Sequence, residues 1–193
     1  MKRIVFVGAA GCGKSTCATE IYTSLKKLNK NVEMIFEWIR YDIQSNGPME
    51  NILEQYRTLQ YQRELEDAVP SNVEYVITDS GTLLPYFYTC LYAKRLNARE
   101  RLVLQDMYRY LLNDLYLNRY YKIFYFPLSL TYETNPGILT DGTRYQTTDE
   151  LAILDGHMDL MFNKLHNLGN VHKIDCPLAE RTQAVLDIIL NEG

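Results

Sequence analysis

The chain has 193 residues, enough for one domain with a full core and no disulfide support. A hydrophobic content of 47% and a charged content of 23% are those of a globular chain, and a formal charge of −4 argues against a protein that coats nucleic acid. No apolar run is long enough to span a bilayer, and Cys12, Cys17, Cys90 and Cys176 have neither metal-ligand spacing nor a paired framework, so a cytoplasmic chain with reduced thiols is expected.

In chain order, RIVFV (3–7) has the β-branched and aromatic character of a strand buried on both faces. Residues 15–28 repeat apolar groups at helical spacing: Cys17, Ile21, Leu25 and Leu28. VEMIFEW (32–38) reads as a second strand, ended before Asn46-Gly47-Pro48. Residues 49–69 read as a helix stopped by Pro70, and VEYVITDS (73–80) as the third strand. A long helix is expected over 97–120, with Leu102, Leu111, Leu112 and Leu115 as its apolar stripe. KIFYFPL (122–128) is a fourth strand, 148–167 a helix, NVHKID (170–175) a fifth strand and 178–190 a closing helix. Strands alternating with helices imply an α/β fold, a mostly parallel five-stranded sheet with helices on both faces. One domain over 1–193 accounts for the pattern.

Between the first strand and the first helix lies GAAGCGKST (8–16), which has the spacing of a phosphate-binding loop. Gly8, Gly11 and Gly13 let the backbone curl so that the amides of the loop, Cys12 and Thr16 included, face an anion. Lys14 brings positive charge to the outer phosphates, and the Ser15 hydroxyl is a Mg²⁺ ligand. A nucleoside triphosphate, ATP with Mg²⁺, is the expected cofactor, and the fold is that of a three-layer P-loop NTPase.

The fate of the third phosphate is read from the residues facing the loop. No Asn-Lys-x-Asp element is present, which argues against a guanine-selecting switch. Asp79 is followed by Ser80 rather than the glutamate that ATP-driven machines use to activate water. Glu37 and Asp79 stand at strand ends, where ligands bind in open α/β sheets. Asp79 is placed to hold Mg²⁺ and Glu37 to accept a proton from an acceptor hydroxyl, although these two roles can also be exchanged. In WIRYD (38–42), Trp38 and Tyr41 offer stacking surfaces for a flat ring and Arg40 a partner for a phosphate. In TDGTRYQTT (140–148), Arg144 stands in a glycine-containing loop suited to a lid over the transferring phosphate, within a lid region of about 129–148. The tyrosines of 106–126 are accounted for by an amphipathic helix and a buried strand.

GAAGCGKST, FEWIR, LQYQRELEDA (59–68), ITDSG (77–81) and DGTR (141–144) together give the chain a resemblance to the NadR-type P-loop kinases, a group that includes nicotinamide riboside kinase domains and phage-encoded relatives. The resemblance implies that Lys14, Ser15, Asp79 and Arg144 serve ATP, metal and transfer, while Glu37 and Arg40 face the acceptor. It departs from the group over 129–140, SLTYETNPGILT, which is longer and more polar than the usual connection. The reading is a kinase acting on a hydroxyl of a nucleoside- or nucleotide-like acceptor. That acceptor is either a free small molecule or a hydroxymethylated pyrimidine base in phage DNA. An ATPase or regulatory ATP-binding protein without an acceptor is the alternative.

Overall fold

The computed structural model describes residues 1–47, 49, 51–93, 95–128 and 146–191. Among the described residues there are five strands and seven α-helices: β1 (Lys2–Val7), α1 (Lys14–Lys27), β2 (Val32–Ile35), α2 (Trp38–Asn46), α3 (Ile52–Asp67), β3 (Tyr75–Asp79), α4 (Leu84–Tyr92), α5 (Ala98–Tyr116), β4 (Lys122–Tyr125), α6 (Thr148–Leu165), β5 (Val171–Lys173) and α7 (Leu178–Asn191). The strands lie in the order β2-β3-β1-β4-β5, and every neighbouring pair is parallel.

Side chains of a strand alternate between the two faces of its sheet, and β1 shows the consequence. Val5 and Val7 point into a core built with Phe87 of α4, Leu111 and Leu115 of α5, and Leu154, Met158 and Phe162 of α6. Ile4 and Phe6 point the other way, into Cys17, Ile21 and Leu25 of α1 and Val185 and Ile189 of α7. Burial on both faces explains why β1 and β3 read as continuous apolar runs. The expected three-layer α/β architecture is therefore the observed one.

Several expected boundaries move. β2 ends at Ile35 rather than at residue 38, because Glu37 is the extended N-cap of α2 and the chain turns at Phe36. Trp38 opens that helix, its amide donating to Gln62 Oε1 of α3 (3.1 Å), so a partner 24 residues away decides the local conformation. The apolar run over 84–92 is helix α4, entered through Pro85 in its first turn, where a missing amide costs nothing. α5 stops at Tyr116, and Leu102, expected in its stripe, is exposed while Leu111 and Leu115 are buried. β4 and β5 are shorter than read, ending at Tyr125 and Lys173.

The strand order puts β3 beside β1, with Asp79 paired in register with Phe6. The Ser80 amide donates to the Phe6 carbonyl (2.9 Å), so β3 stays bonded to β1 up to the phosphate loop. There the chain turns sharply: Ser80 and Gly81 both have left-handed backbones, at φ 69° and 56°. A Cβ on Gly81 would meet Val5 Cγ2 at 2.5 Å and the Tyr120 hydroxyl at 2.9 Å. Gly81→Ala is accordingly expected to lower unfolding stability by about 2–4 kcal/mol, from left-handed backbone strain together with overpacking. Urea denaturation measures this, and an unchanged midpoint would contradict the crowding described.

Candidate functional site

The phosphate loop follows β1 directly and leads into α1 through Gly13, whose backbone is left-handed (φ 89°). α1 has no side-chain cap and no acidic residue in its first turn. Its leading amides are therefore open to an anion, and the positive end of the helix faces the same point. Gly8 is required by contact: a Cβ there would lie 2.5 Å from Cys12 Sγ and 2.6 Å from the Phe126 carbonyl. Cys12 itself is fully buried beneath the loop, and burial pushes its thiol pKa up, so it packs as a small apolar group.

The loop is held from below by Arg181 of α7, which is 1% exposed. Its guanidinium donates to the Cys12 carbonyl (2.6 Å) and the Cys176 carbonyl (3.1 Å) and lies over the Phe126 ring. Arg181 was not singled out from sequence. A lone arginine in a C-terminal amphipathic helix carries no local sign that it reaches back 169 residues to the loop.

Lys14, Ser15, Glu37 and Asp79 converge in front of the loop. Two open spaces of about 360 and 680 Å³ meet at Ser15, Glu37 and Arg40. Lys14 faces the first, and Asp79, Thr16 and Tyr41 face the second. Burial works against the Lys14 ammonium, yet the Glu37 and Asp79 carboxylates raise its pKa above that of an ordinary lysine. Glu37 is half-buried, and burial together with the nearby Asp79 charge raises its carboxyl pKa against the pull of Lys14, the Ser80 hydroxyl and Arg40. A carboxylate perturbed in this way, lining a cleft with a lysine, makes the cleft the candidate functional centre.

Asp79 is 4% exposed, and its buried Oδ1 accepts no hydrogen bond. A buried carboxylate oxygen left open on a residue that lines the same space as Ser15 fits a Mg²⁺ ion, which takes one or two protein oxygens and completes its shell with phosphates and water. No group of three or more His, Cys, Asp or Glu residues able to hold a metal by themselves occurs among the described residues.

The family profile described as AAA domain matches residues 3–167, a span containing the loop, Glu37 and Asp79. The chain belongs to the AAA domain family. Among solved structures, this AAA domain is similar to the NadR protein in complex with NAD and AMP-PNP, with TM-score 0.72 and 16% identity. That match covers 98% of this chain and 49% of the NadR chain, so the chain spans about half of NadR. It is similar to deoxyadenosine kinase from M. mycoides with bound dATP (TM-score 0.65, 16% identity, 98% and 99% of the two chains). It is also similar to thymidylate kinase from Ehrlichia chaffeensis (TM-score 0.66, 16% identity, 97% of each). At this identity the likenesses show the fold, a three-layer P-loop NTPase fold, and they support the NadR-type resemblance. No curated protein matches the sequence.

Other expected site residues of the AAA domain are placed differently. The indole of Trp38 does not line either space; it lies on the ring of Tyr61 (centroids 5.2 Å apart), turned toward α3 by its position at the start of α2. Aromatic surface in the first space comes instead from Tyr88 and Tyr92 of α4. Arg144, together with the connection over 129–140, lies outside the described residues. No described helix is long and apolar enough to cross a membrane.

LQYQRELEDA, read as a family signature, serves as a brace behind the turn that follows Asp79. Its Glu66, fully buried, accepts from the Tyr120 hydroxyl (3.0 Å) and pairs with Arg119 (3.0 Å). The Tyr120 hydroxyl in turn accepts the Thr82 amide (3.0 Å), three residues after Asp79. Thr82 Oγ1 donates to Asp114 Oδ2 (2.5 Å), and Asp114 accepts from Arg63 (2.7 Å) of the same α3 signature. Burial pushes the Glu66 carboxyl up to about 7, against the Arg119 charge and the Tyr120 hydrogen bond. Folding thus takes up a proton between the unfolded value of about 4.3 and about 7. The stability linked to this group is complete below the unfolded value and is lost as pH rises through 7. Thermal unfolding of the wild-type chain should fall in Tm between about pH 5 and pH 8, and Glu66→Gln should flatten that slope. Parallel slopes for the two proteins would contradict the assignment.

Proposed function

We propose that this chain is an ATP- and Mg²⁺-dependent kinase that transfers the γ-phosphoryl group to a hydroxyl of a nucleoside-like acceptor. The observation that carries the reading is Glu37, a half-buried carboxylate of raised pKa facing the same cleft as Lys14 of the phosphate loop. The amides opening α1 and the Lys14 ammonium hold the outer phosphates of ATP. Ser15 and Asp79 would hold Mg²⁺, whose charge neutralises the phosphate oxygens. The acceptor oxygen bonds to the γ-phosphorus as the bond from that phosphorus to the β–γ bridging oxygen breaks, and Glu37 takes the hydroxyl proton. ADP leaves with the bridging oxygen. Arg40 at the junction of the two spaces, and Arg144, which precedes α6 in the sequence, are the further cations for phosphate charge.

Kinase activity agrees with the similar structures: NadR with AMP-PNP, deoxyadenosine kinase with dATP, and thymidylate kinase. Transfer is favoured over hydrolysis because Ser80 follows Asp79 where a water-activating carboxylate would stand. Glu37 favours a hydroxyl acceptor, because a phosphate acceptor has no proton that needs a base at neutral pH.

In steady-state assays Glu37→Gln should lose transfer by about 10²-fold or more while its Kd for ATP stays within about twofold. Lys14→Ala should instead weaken ATP use with every acceptor alike. Near-normal transfer by Glu37→Gln would remove Glu37 from the chemistry and with it this reading.

A further inference from the structure

Two unfavourable features meet at Ser80. Its backbone is left-handed (φ 69°), a conformation that crowds the Cβ of any residue but glycine. Among the described residues the other non-glycines with such a backbone are Asn29 and Asn118, and asparagine tolerates it by bonding locally through its short amide. The Ser80 hydroxyl is also buried: the residue is 2% exposed and its Oγ has no hydrogen-bond partner. Such groups in folded proteins are normally satisfied. Glycine at this position would remove the strain and the open hydroxyl, and would keep the amide bond to the Phe6 carbonyl (2.9 Å). Strain held in spite of so simple a remedy is a feature of functional sites.

The neighbour of this hydroxyl is Glu37. Both residues line one small space of about 20 Å³, room for no more than about one water molecule. The Ser80 hydroxyl is near enough to favour the ionised form of the Glu37 carboxyl. Glu37 has no orienting partner on its own helix. It is the N-cap of α2, a position from which a side chain commonly turns back to the first amides, and it makes no such bond. Lys14 attracts the carboxylate, but an ammonium is a point charge that does not fix a carboxylate's plane. The outer phosphates of ATP compete for that same ammonium.

We propose that Ser80 is a positioning residue for Glu37. Once nucleotide has drawn Lys14 to the phosphates, the Ser80 hydroxyl donates to one oxygen of the Glu37 carboxylate and holds the other toward the acceptor hydroxyl. The inference rests on the kinase reading for the step it serves. In that step the acceptor O–H bond breaks, its proton passes to the second Glu37 oxygen, and Ser80 keeps its own proton. Hydrogen bonds in catalytic centres are often completed only when the site is filled, which accounts for the unpartnered Oγ. It also accounts for a serine where glycine would be easier on the backbone.

Ser80→Gly removes the hydroxyl and relieves the backbone, so it separates positioning from folding. Its Tm should not fall below that of the wild type. Its Kd for AMP-PNP should stay within about twofold, while kcat for transfer to the best nucleoside of a panel falls at least about tenfold. In a Glu37→Gln background the same change should lower kcat by less than about twofold, because the hydroxyl acts only through the carboxylate. Losses that multiply in the double variant, or wild-type kcat in Ser80→Gly, overturn the inference. A lower Tm with kcat intact makes Ser80 structural only and overturns it too. The contact is read separately, in a crystal structure of the full chain with AMP-PNP and Mg²⁺. There Ser80 Oγ should stand within about 3.0 Å of a Glu37 carboxylate oxygen, and a distance beyond about 3.5 Å overturns the inference whatever the kinetics. A wild-type chain that transfers to no nucleoside overturns the kinase reading instead, and that crystal structure then decides the contact.

Discussion

At the mouth of this sheet one buried ammonium shares its surroundings with two carboxylates that keep it charged, and the surrounding architecture depends on that arrangement. Lys14 loses hydration by burial and is kept charged by Glu37 and Asp79. The three groups come from β1's loop, β2's exit and β3's end, and only the order β2-β3-β1 brings them together. Because all of these strands are parallel, their carboxyl ends share one edge of the sheet, and so do the side chains that follow them.

Holding such a cluster requires rigid support, and the chain supplies it from behind. Arg181 fastens the floor of the phosphate loop to α7, so the C-terminal helix is part of the nucleotide site without touching its open face. On the other side, Glu66, Tyr120 and Asp114 fasten Thr82 and with it the left-handed turn at Ser80-Gly81. That turn sets where Asp79 ends. A buried polar network of this kind is favourable only when its members are satisfied, and here α3, α5 and the segment before β4 each contribute. Asp79 Oδ1 is one of the buried polar atoms left open, and Asp79 lines the second space, where a ligand can complete it.

How much of this was legible in the sequence follows from how local each feature is. The phosphate loop, its flanking strand and α1 are encoded by adjacent residues, and the parallel sheet by the alternation of apolar runs with helical repeats. Glu37 was legible as a carboxylate near a strand end. Its true setting, the N-cap of α2, depends on a hydrogen bond from Trp38 to Gln62 that adjacent residues do not reveal. The same bond explains why Trp38 was read into the acceptor site and is found on Tyr61. α4 escaped because LPYFYTCLY is apolar on nearly every side, with Leu84, Pro85, Phe87 and Thr89 buried, so it shows no helical period.

The central claim is that the third phosphate of ATP leaves this cleft on an acceptor hydroxyl rather than on water. Incubation of the chain with γ-labelled ATP, Mg²⁺ and a panel of nucleosides, followed by separation of products, tests it most directly. The account predicts label in a phosphorylated nucleoside, in excess of label in inorganic phosphate and dependent on Glu37. Label recovered only as inorganic phosphate, whatever acceptor is supplied, would contradict it.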